Sequence, residues 1–570
     1  MTIADQLILL NSTKQDIKAA IEAKGVSMTD VPFTDYDTKI GEITTGGGGG
    51  LDIIFDTWTR QSDWLTVPTI TETSETVYVL YAVNDVPLNG IMFVNQVSAI
   101  TVDWGDGTVE NFAAGSYCEH FYDYNDTALD GTLSTRGYKQ ALITITPQTT
   151  FDSGTLIDFD QTPTGYRTNQ NISILEIHFA IADGTLNIPT TALTNNIGTR
   201  LFNCEYINIK AWNDTSLAFK FQNNISLVKI DIPNAPTSGA YTTCNGTFAN
   251  CYSLLEVSLF DTSSVTAFTN AFSASGIQTI PQYDLSSATS TSGMFANCSS
   301  LVYVPDLNIP NVTNVVSMFY FCESLINAPR LTNMQAITSF QNLFGYCASL
   351  VYIPDDYNTS AVTSMVSTFE SCASLKYLPD WDYSNVTGYG RFYGMKSLVS
   401  IQESVFSNPM TTSGASMFYN CNSLIELPES FSNVTITTSM DNMFQYCYAL
   451  RKIPSFSVVD NQISGSTEFS DVFRDCRALI EVGTIDLTNN TGITALSNIF
   501  FQARSVQKIG VIGFNQTFTI ADCALGVDAL NTLYTNLATV SGKTITVTGN
   551  PGTSGDDPTI ATAKGWTVVG

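Results

Sequence analysis

Met294-Phe295-Ala296-Asn297-Cys298-Ser299-Ser300-Leu301, followed by Val304 and Pro305, is the clearest copy of a phrase repeated through the second half of this 570-residue chain. With Phe at position zero, a small residue follows at plus three, Leu at plus six and Pro near plus ten. The Phe recurs at Phe221, Phe248, Phe272, Phe295, Phe319, Phe344, Phe369, Phe392, Phe418, Phe444, Phe473 and Phe500, at intervals of 23 to 29 residues. Self-similarity with a period of about 20–50 residues marks a solenoid. One turn alone cannot bury these side chains, whereas stacked turns bury them in a continuous column.

About seven residues ahead of the Phe stands Val265, Val312, Ile337, Val362 or Ile493, each followed by Thr, and past the Leu comes an aliphatic such as Val304, Ile353, Leu378, Leu427 or Ile453. The small residue is Cys251, Cys298, Cys322, Cys347, Cys372, Cys421, Cys447 or Cys476, and elsewhere Asn224, Ser275, Met395 or Ala503. A metal ligand or a cross-link would not tolerate Met and Ala. One Cys per turn at one phase also gives no pairing logic within a turn. The expectation is a ladder of buried free thiols acting as small hydrophobes.

The phrase resembles the BspA-like branch of leucine-rich repeats, first recognised in surface proteins of mycoplasmas and other bacteria. The resemblance spans roughly residues 200–520 and is nearly intact at 294–301, 318–325 and 417–424. It implies a leucine-rich-repeat-like solenoid serving as a surface or adhesive module, and no catalytic residues.

Charged residues make up only 13% of the chain and the formal net charge is −28. Without a basic stripe to neutralise phosphates, nucleic acid is excluded as a partner. No run of 18 apolar residues occurs, so no membrane insertion is expected. The N-terminus lacks the basic and apolar regions of a secretory signal. Twelve Cys without signs of pairing fit synthesis in a reducing cytoplasm. A surface-type repeat without an export signal fits a virion protein, made in the host bacterial cytoplasm and released by lysis.

Residues 1–45 read as a helical attachment segment. Ile3, Leu7, Leu10, Ile17 and Ile21 form a heptad seam, with Gly25 as a C-cap. The seam predicts a homo-oligomer, a trimer foremost. The alternative is a small helical domain closed by a second helix near Tyr36, Ile40 and Ile43. The stretch Lys14–Val26, with Pro32-Phe33 and Tyr36, resembles the N-terminal segment of many tailed-phage structural proteins, which implies attachment to other virion proteins. Residues 46–51 form a glycine linker.

Residues 52–150 are β-rich. Runs 77–83 and 141–146 read as strands, and Asp103-Trp104-Gly105-Asp106-Gly107-Thr108 between β-type flanks reads as a hairpin turn with Trp104 in the core. This string, with His120-Phe121-Tyr122, resembles PKD-type immunoglobulin-like domains. The resemblance implies a β-sandwich in which Asp103 and Asp106 shape a turn and do no catalysis. Residues 123–140 form an insertion. Residues 151–200 read as a transition and N-terminal cap, 201–514 as the solenoid, and 515–570 as a C-terminal cap with helical spacing at Val527, Leu530, Leu533, Tyr534 and Leu537. The fold class is therefore mainly β with short helices.

No metalloprotease, zinc-ribbon or P-loop motif occurs, and His120 and His178 are the only two histidines. No catalytic, cofactor or metal residue is assigned and no cofactor is expected. The candidate ligand-binding patch is a repeated edge of Tyr303, Tyr352 and Tyr377 with Asp306, Asp355 and Asp380, and with Trp381 adjoining. Three readings compete for it. In the first, Pro-Asp starts a turn and Tyr covers the column. In the second, the edge binds a host surface glycan or receptor. In the third, it is a depolymerase site whose paired carboxylates act on glycosidic bonds, as on a tailspike. The expected function is a non-enzymatic phage fibre or appendage protein on the virion exterior. The alternatives are a bacterial surface adhesin and a tailspike-like depolymerase.

Overall fold

A computed structural model of the chain describes residues 57–86, 89–152, 155–159, 173–187, 204–237, 239–460 and 469–570. The helical segment, the glycine run and the start of the β-rich region lie outside the described residues. The chain divides into Met1–Thr57 and one compact unit, Trp58–Gly570.

That larger unit begins with strands β1 (Thr76–Val83), β2 (Asn89–Asn95), β3 (Ile100–Asp103), β4 (Val109–Phe112), β5 (Ser116–Tyr122) and β6 (Lys139–Pro147). They continue into β7 (Leu156–Asp158), β8 (Ile174–Ala180), β9 (Thr185–Asn187), β10 (Tyr206–Ala211), β11 (Lys229–Asp231) and β12 (Glu256–Val257). One sheet has the order β5-β2-β7-β9; the other runs β12-β11-β10-β8-β1-β6-β3-β4. The second sheet is antiparallel from β4 to β8 and parallel from β8 to β12. The β-rich region and the solenoid thus share one sheet, whose strands come both before and after the expected boundaries at 150 and 200 in chain order. Sharing the sheet covers the first solenoid turn with strand β8, so no exposed parallel edge remains at that end.

The hairpin turn is built as its residues dictate. The Asp103 carboxylate accepts from the Gly105 N–H at 3.0 Å, and the Asp106 carboxylate accepts from the Thr108 N–H at 2.9 Å. Trp104 is fully buried and donates its Nε1–H to Glu110 at 2.8 Å. His120 stacks on Trp104 with centroids 4.8 Å apart and pairs with Asp106 at 2.6 Å; the Tyr122 hydroxyl donates to the Trp104 carbonyl at 2.8 Å. Every polar tip in this cluster has a partner, and both aspartates are engaged in the turn. The 123–140 insertion packs back onto the sheet. Its Tyr138 hydroxyl accepts from Trp64 Nε1 at 2.8 Å, and its Leu129 is fully buried.

From β10 onward the turns stack in parallel, pairing Tyr206 with Lys229, Leu307 with Leu331, Met410 with Val434, and Glu481 with Lys508. The Phe of each turn lies in the centre. Rings from Phe221 through Phe344, and again from Phe392 through Phe500, stack with centroids 5.1–5.9 Å apart and planes within 25°. The Phe N–H donates to the carbonyl just before the Phe of the next turn, as from Phe295 to Met318 and from Phe319 to Leu343. On the rim, the Thr that follows the aliphatic forms a second ladder. Thr266, Thr289 and Thr313 each send both N–H and hydroxyl to the Thr carbonyl one turn back, the hydroxyls at 3.1–3.3 Å.

A feature not anticipated from the sequence sets the shape of each turn. Residues two before and two after the Phe adopt left-handed backbone, as in Asn270 and Ala274, Ser317 and Phe321, Asn342 and Tyr346, and Asn442 and Tyr446. Two such residues four apart fold the chain tightly around the Phe. Asn, Asp, Ser and Gly, which fill most of these places, tolerate that conformation best.

The parallel stacking continues to the C-terminus. Phe518 pairs with Ile545, and Ile545 with Val568, while a helix at Val527–Asn536 connects the turns and buries Leu530, Leu533 and Tyr534.

Candidate functional site

The Tyr and Asp edge is a real row but a mixed one. Tyr303 is 40% exposed and Tyr377 37%, with Tyr352 half-buried between those levels and the core. Asn327 stands between Tyr303 and Tyr352 in the row and pairs with Tyr352 across a parallel bridge. Burial and the neighbouring Asp306 carboxylate push the Tyr303 phenol up. Asp306, Asp355 and Asp380 are exposed, but two of them hold main chain. Asp306 accepts from the Arg330 N–H at 3.0 Å, and Asp355 from the Asp380 N–H at 2.8 Å, each one turn on. Arg330 interrupts the acidic row and lies 3.4 Å from Asp356. An open depression of about 350 Å³ beside Asp306 is lined by Gln282, Asp284, Asn308 and Thr332.

Trp381 is not part of this surface. It is 3% exposed, stacks on Tyr357 at 5.2 Å and packs against Phe340 and Phe369. Its Nε1–H donates to the Pro354 carbonyl at 2.9 Å. Its repeat position explains this. Twelve residues after the Phe, the chain also carries Phe260, Leu307, Leu331 and Phe456, all buried. The proline carbonyl has a general use here, since Tyr357 and Tyr383 donate their hydroxyls to Pro329 and Pro379.

All twelve cysteines are free and buried. In the repeat they do more than fill space. Cys251, Cys298, Cys322, Cys347, Cys372, Cys421, Cys447 and Cys476 each place Sγ 3.0–3.1 Å from the carbonyl of the previous turn's Phe. A thiol is a weak donor, and that carbonyl already accepts the N–H of its own turn's Cys, as Cys322 N–H to Phe319. Burial raises the thiols, Cys251, Cys372 and Cys421 to about 12 and Cys298 to about 11, so they stay protonated and inert. Replacing Cys347 with Ala should therefore cost about 1–2 kcal/mol, from a small cavity and one weak bond. Phe at that site should cost more, because the close-packed column has no room. Urea unfolding of the two variants checks the order.

A second surface, missed by sequence reading, lies at the two positions after the Phe. In the turns of Phe221, Phe248, Phe272 and Phe295 these positions hold Gln222-Asn223, Ala249-Asn250, Ser273-Ala274 and Ala296-Asn297. From Phe319 on most turns hold an aromatic there: Tyr320, Phe321, Tyr346, Tyr393, Tyr419 and Tyr446 are half-buried and Phe501 is exposed, while the turns of Phe369 and Phe473 carry Glu370-Ser371 and Arg474-Asp475 instead. Phe321 stacks on Tyr346 at 4.2 Å, and Tyr320 meets Tyr346 edge-on at 5.5 Å. Tyr346 donates to Glu370 of the next turn at 3.0 Å. Tyr393 stacks on Tyr419 at 5.0 Å, and Tyr419 meets Tyr446 edge-on at 5.5 Å. Burial and then the Glu370 bond push the Tyr346 phenol to about 12. Beyond Tyr446, Arg477 lies over Tyr448 at 4.8 Å and Arg474 over Phe501 at 5.3 Å. The departure from small residues after the Phe was the available signal.

Among the described residues, no cluster of three or more His, Cys, Asp and Glu is placed to hold a metal ion, and no helix is long and apolar enough to cross a membrane.

Parallel turns, a buried Phe and Leu column and recurring surface positions define a repeat solenoid of the leucine-rich-repeat type. The chain belongs to the family described as Mycoplasma protein of unknown function, DUF285, whose model matches residues 214–332, 330–425 and 406–512, just over half of the sequence. No curated protein matches the chain. Solved structures similar to it include a leucine-rich repeat protein from Bacteroides ovatus, 16% identical over 65% of this chain and 89% of that one, with a TM-score of 0.25. Another, from Eubacterium ventriosum, is 15% identical over 54% and 84%, with a TM-score of 0.27. An internalin from Listeria monocytogenes is 13% identical over 58% and 83%, with a TM-score of 0.17. The solenoid itself stands on the chain's own ladders.

Proposed function

We propose that this is a non-catalytic recognition protein whose solenoid presents surface side chains, in register, to a host surface or its glycans. One observation carries the reading: exposed tyrosines recur at fixed positions of a rigid column, while Asp306 and Asp355 beside them are occupied in pinning the next turn. The arrangement favours many weak contacts summed over turns and copies. Beads carrying the full chain should retain bacterial cells or their envelope polysaccharides, whereas retention of none across a broad panel would overturn the reading.

The setting we favour is the exterior of a phage virion. There the N-terminal segment would join other virion proteins as a homo-oligomer, and the PKD-like β region would form the base of the solenoid. A chain beginning at Leu51 should then stay folded, fail to join particles and fall in stoichiometry by light scattering; normal assembly would place the anchor elsewhere. The second reading, a bacterial surface adhesin, is favoured by the bacterial source in the family's description. Antibody labelling of virions and of cell surfaces separates the two.

A further inference from the structure

We infer that the aromatic ribbon formed by Tyr320, Phe321, Tyr346, Tyr393, Tyr419 and Tyr446 is the ligand face of the solenoid, and that its ligand is an extended, uncharged polysaccharide. The inference rests on the recognition reading above, places the ligand on a second row of the same solenoid rather than on Tyr303 and Tyr377, and names the ligand class.

The repeats supply their own control. The same two positions after the Phe hold Ala, Ser, Gln and Asn in four consecutive turns, and those turns stack as the others do. The fold therefore does not require rings there. The rings also sit where they are disfavoured. Phe321, Tyr346 and Tyr446 adopt φ of 59°, 63° and 65°, where Asn223, Asn250, Asn297 and Asn420 stand in other turns. A bulky residue in left-handed backbone is uncommon, and such outliers collect at functional sites.

The shape of the ribbon selects the ligand class. It is narrow, with one or two rings in each turn but that of Phe369, and runs along the stacking direction for roughly 25 Å over six turns at strand spacing. A protein partner needs a broad patch, about 800 Å² with a central buried cluster. A linear polymer needs a narrow track with one contact per step. Successive rings lie 4.2–5.5 Å apart where they touch, so five of the six turns offer a ring to successive steps of an extended chain. Amides that are exposed or half-buried flank the ribbon at Asn297, Asn420, Asn422 and Asn442. These donate to and accept from sugar hydroxyls. Glu370 continues the track through the turn without a ring, as an acceptor already engaged by Tyr346. Phosphorylated or uronic polymers are disfavoured by the net charge of −28.

The test exchanges ribbon residues for what neighbouring turns already carry: Tyr393→Ala, Tyr419→Ala and Tyr446→Asn together in the full chain. Affinity electrophoresis through gels containing mannan, dextran, hydroxyethylcellulose or, as the acidic control, alginate reads binding. The expected result is retardation of the full chain by at least one neutral polymer, not by alginate, with a loss of at least tenfold in affinity in the triple variant. Its melting temperature should move by only a few degrees. Retardation unchanged in the triple variant overturns the ribbon assignment while leaving recognition standing, as does retardation by alginate alone. A sharp fall in melting temperature shows that the rings are packing and also overturns it. Absence of retardation by any neutral polymer, with beads still retaining cells, overturns the ligand class alone; if the beads retain nothing either, recognition itself falls.

Discussion

Trp381→Ala should lower stability by about 3–5 kcal/mol, the cost of emptying a large aromatic site in a close-packed core. The side chain is 3% exposed and touches Phe340, Tyr357 and Phe369 across adjoining turns, so its loss leaves a cavity that no single turn can close. The Pro354 carbonyl would lose its donor as well. Trp381→Phe should cost less, since most of the volume remains. Tyr377→Ala, at a 37% exposed position in the same turn, should cost much less than either. Urea unfolding of the three variants gives the order. Equal small effects for Trp381 and Tyr377 would return Trp381 to the surface.

Arg60→Ala should cost about 3 kcal/mol. Glu176 on β8 is fully buried, and Arg60 grips it with Nε to Oε1 at 2.8 Å and Nη2 to Oε2 at 2.9 Å. The same guanidinium donates to the carbonyls of Trp64 and Leu65. Its removal leaves a carboxylate in the interior beside His178, whose Nε2 is 3.6 Å away. Residues around Arg60 also reach the first solenoid strands, since the Trp58 N–H donates to Glu256 and the Trp58 ring lies 4.9 Å from Tyr206. The segment therefore crosses the seam where the β region becomes the solenoid, and loosening it should weaken both. Replacing Arg60 and Glu176 together by Met should recover much of the loss, because the uncompensated charge goes with the pair. A double variant as unstable as Arg60→Ala would contradict the charge argument.

The column was legible in the sequence because each of its contacts is written once per turn. Phe, Leu, Cys and Thr recur at fixed phase, so their stacking follows from the period alone. The thiol-to-carbonyl contact was not legible, since exchange with Met395 and Ala503 at that position points only to a buried apolar site. Trp381 misled because Pro379 and Asp380 before it look like a turn, while the informative comparison was with Phe260, Leu307, Leu331 and Phe456 at the same phase. The aromatic ribbon occupies the two positions at which the turns differ most, so the shared period carries no trace of it. The shared sheet could not be read at all. Pairing β1 with β8 and β8 with β10 joins segments with no common period, and Arg60 finds Glu176 across 116 residues. Such contacts depend on the whole fold rather than on any local pattern.

Recognition without cleavage is the central property of the proposed function. Incubating the full chain with a polysaccharide that retards it, then measuring polymer length by size-exclusion light scattering, tests that claim most directly. The expected result is a complex with the polymer length unchanged after prolonged incubation. Progressive shortening of the polymer, abolished by Asp355→Asn or Asp380→Asn, would contradict it and make the acidic edge a depolymerase site.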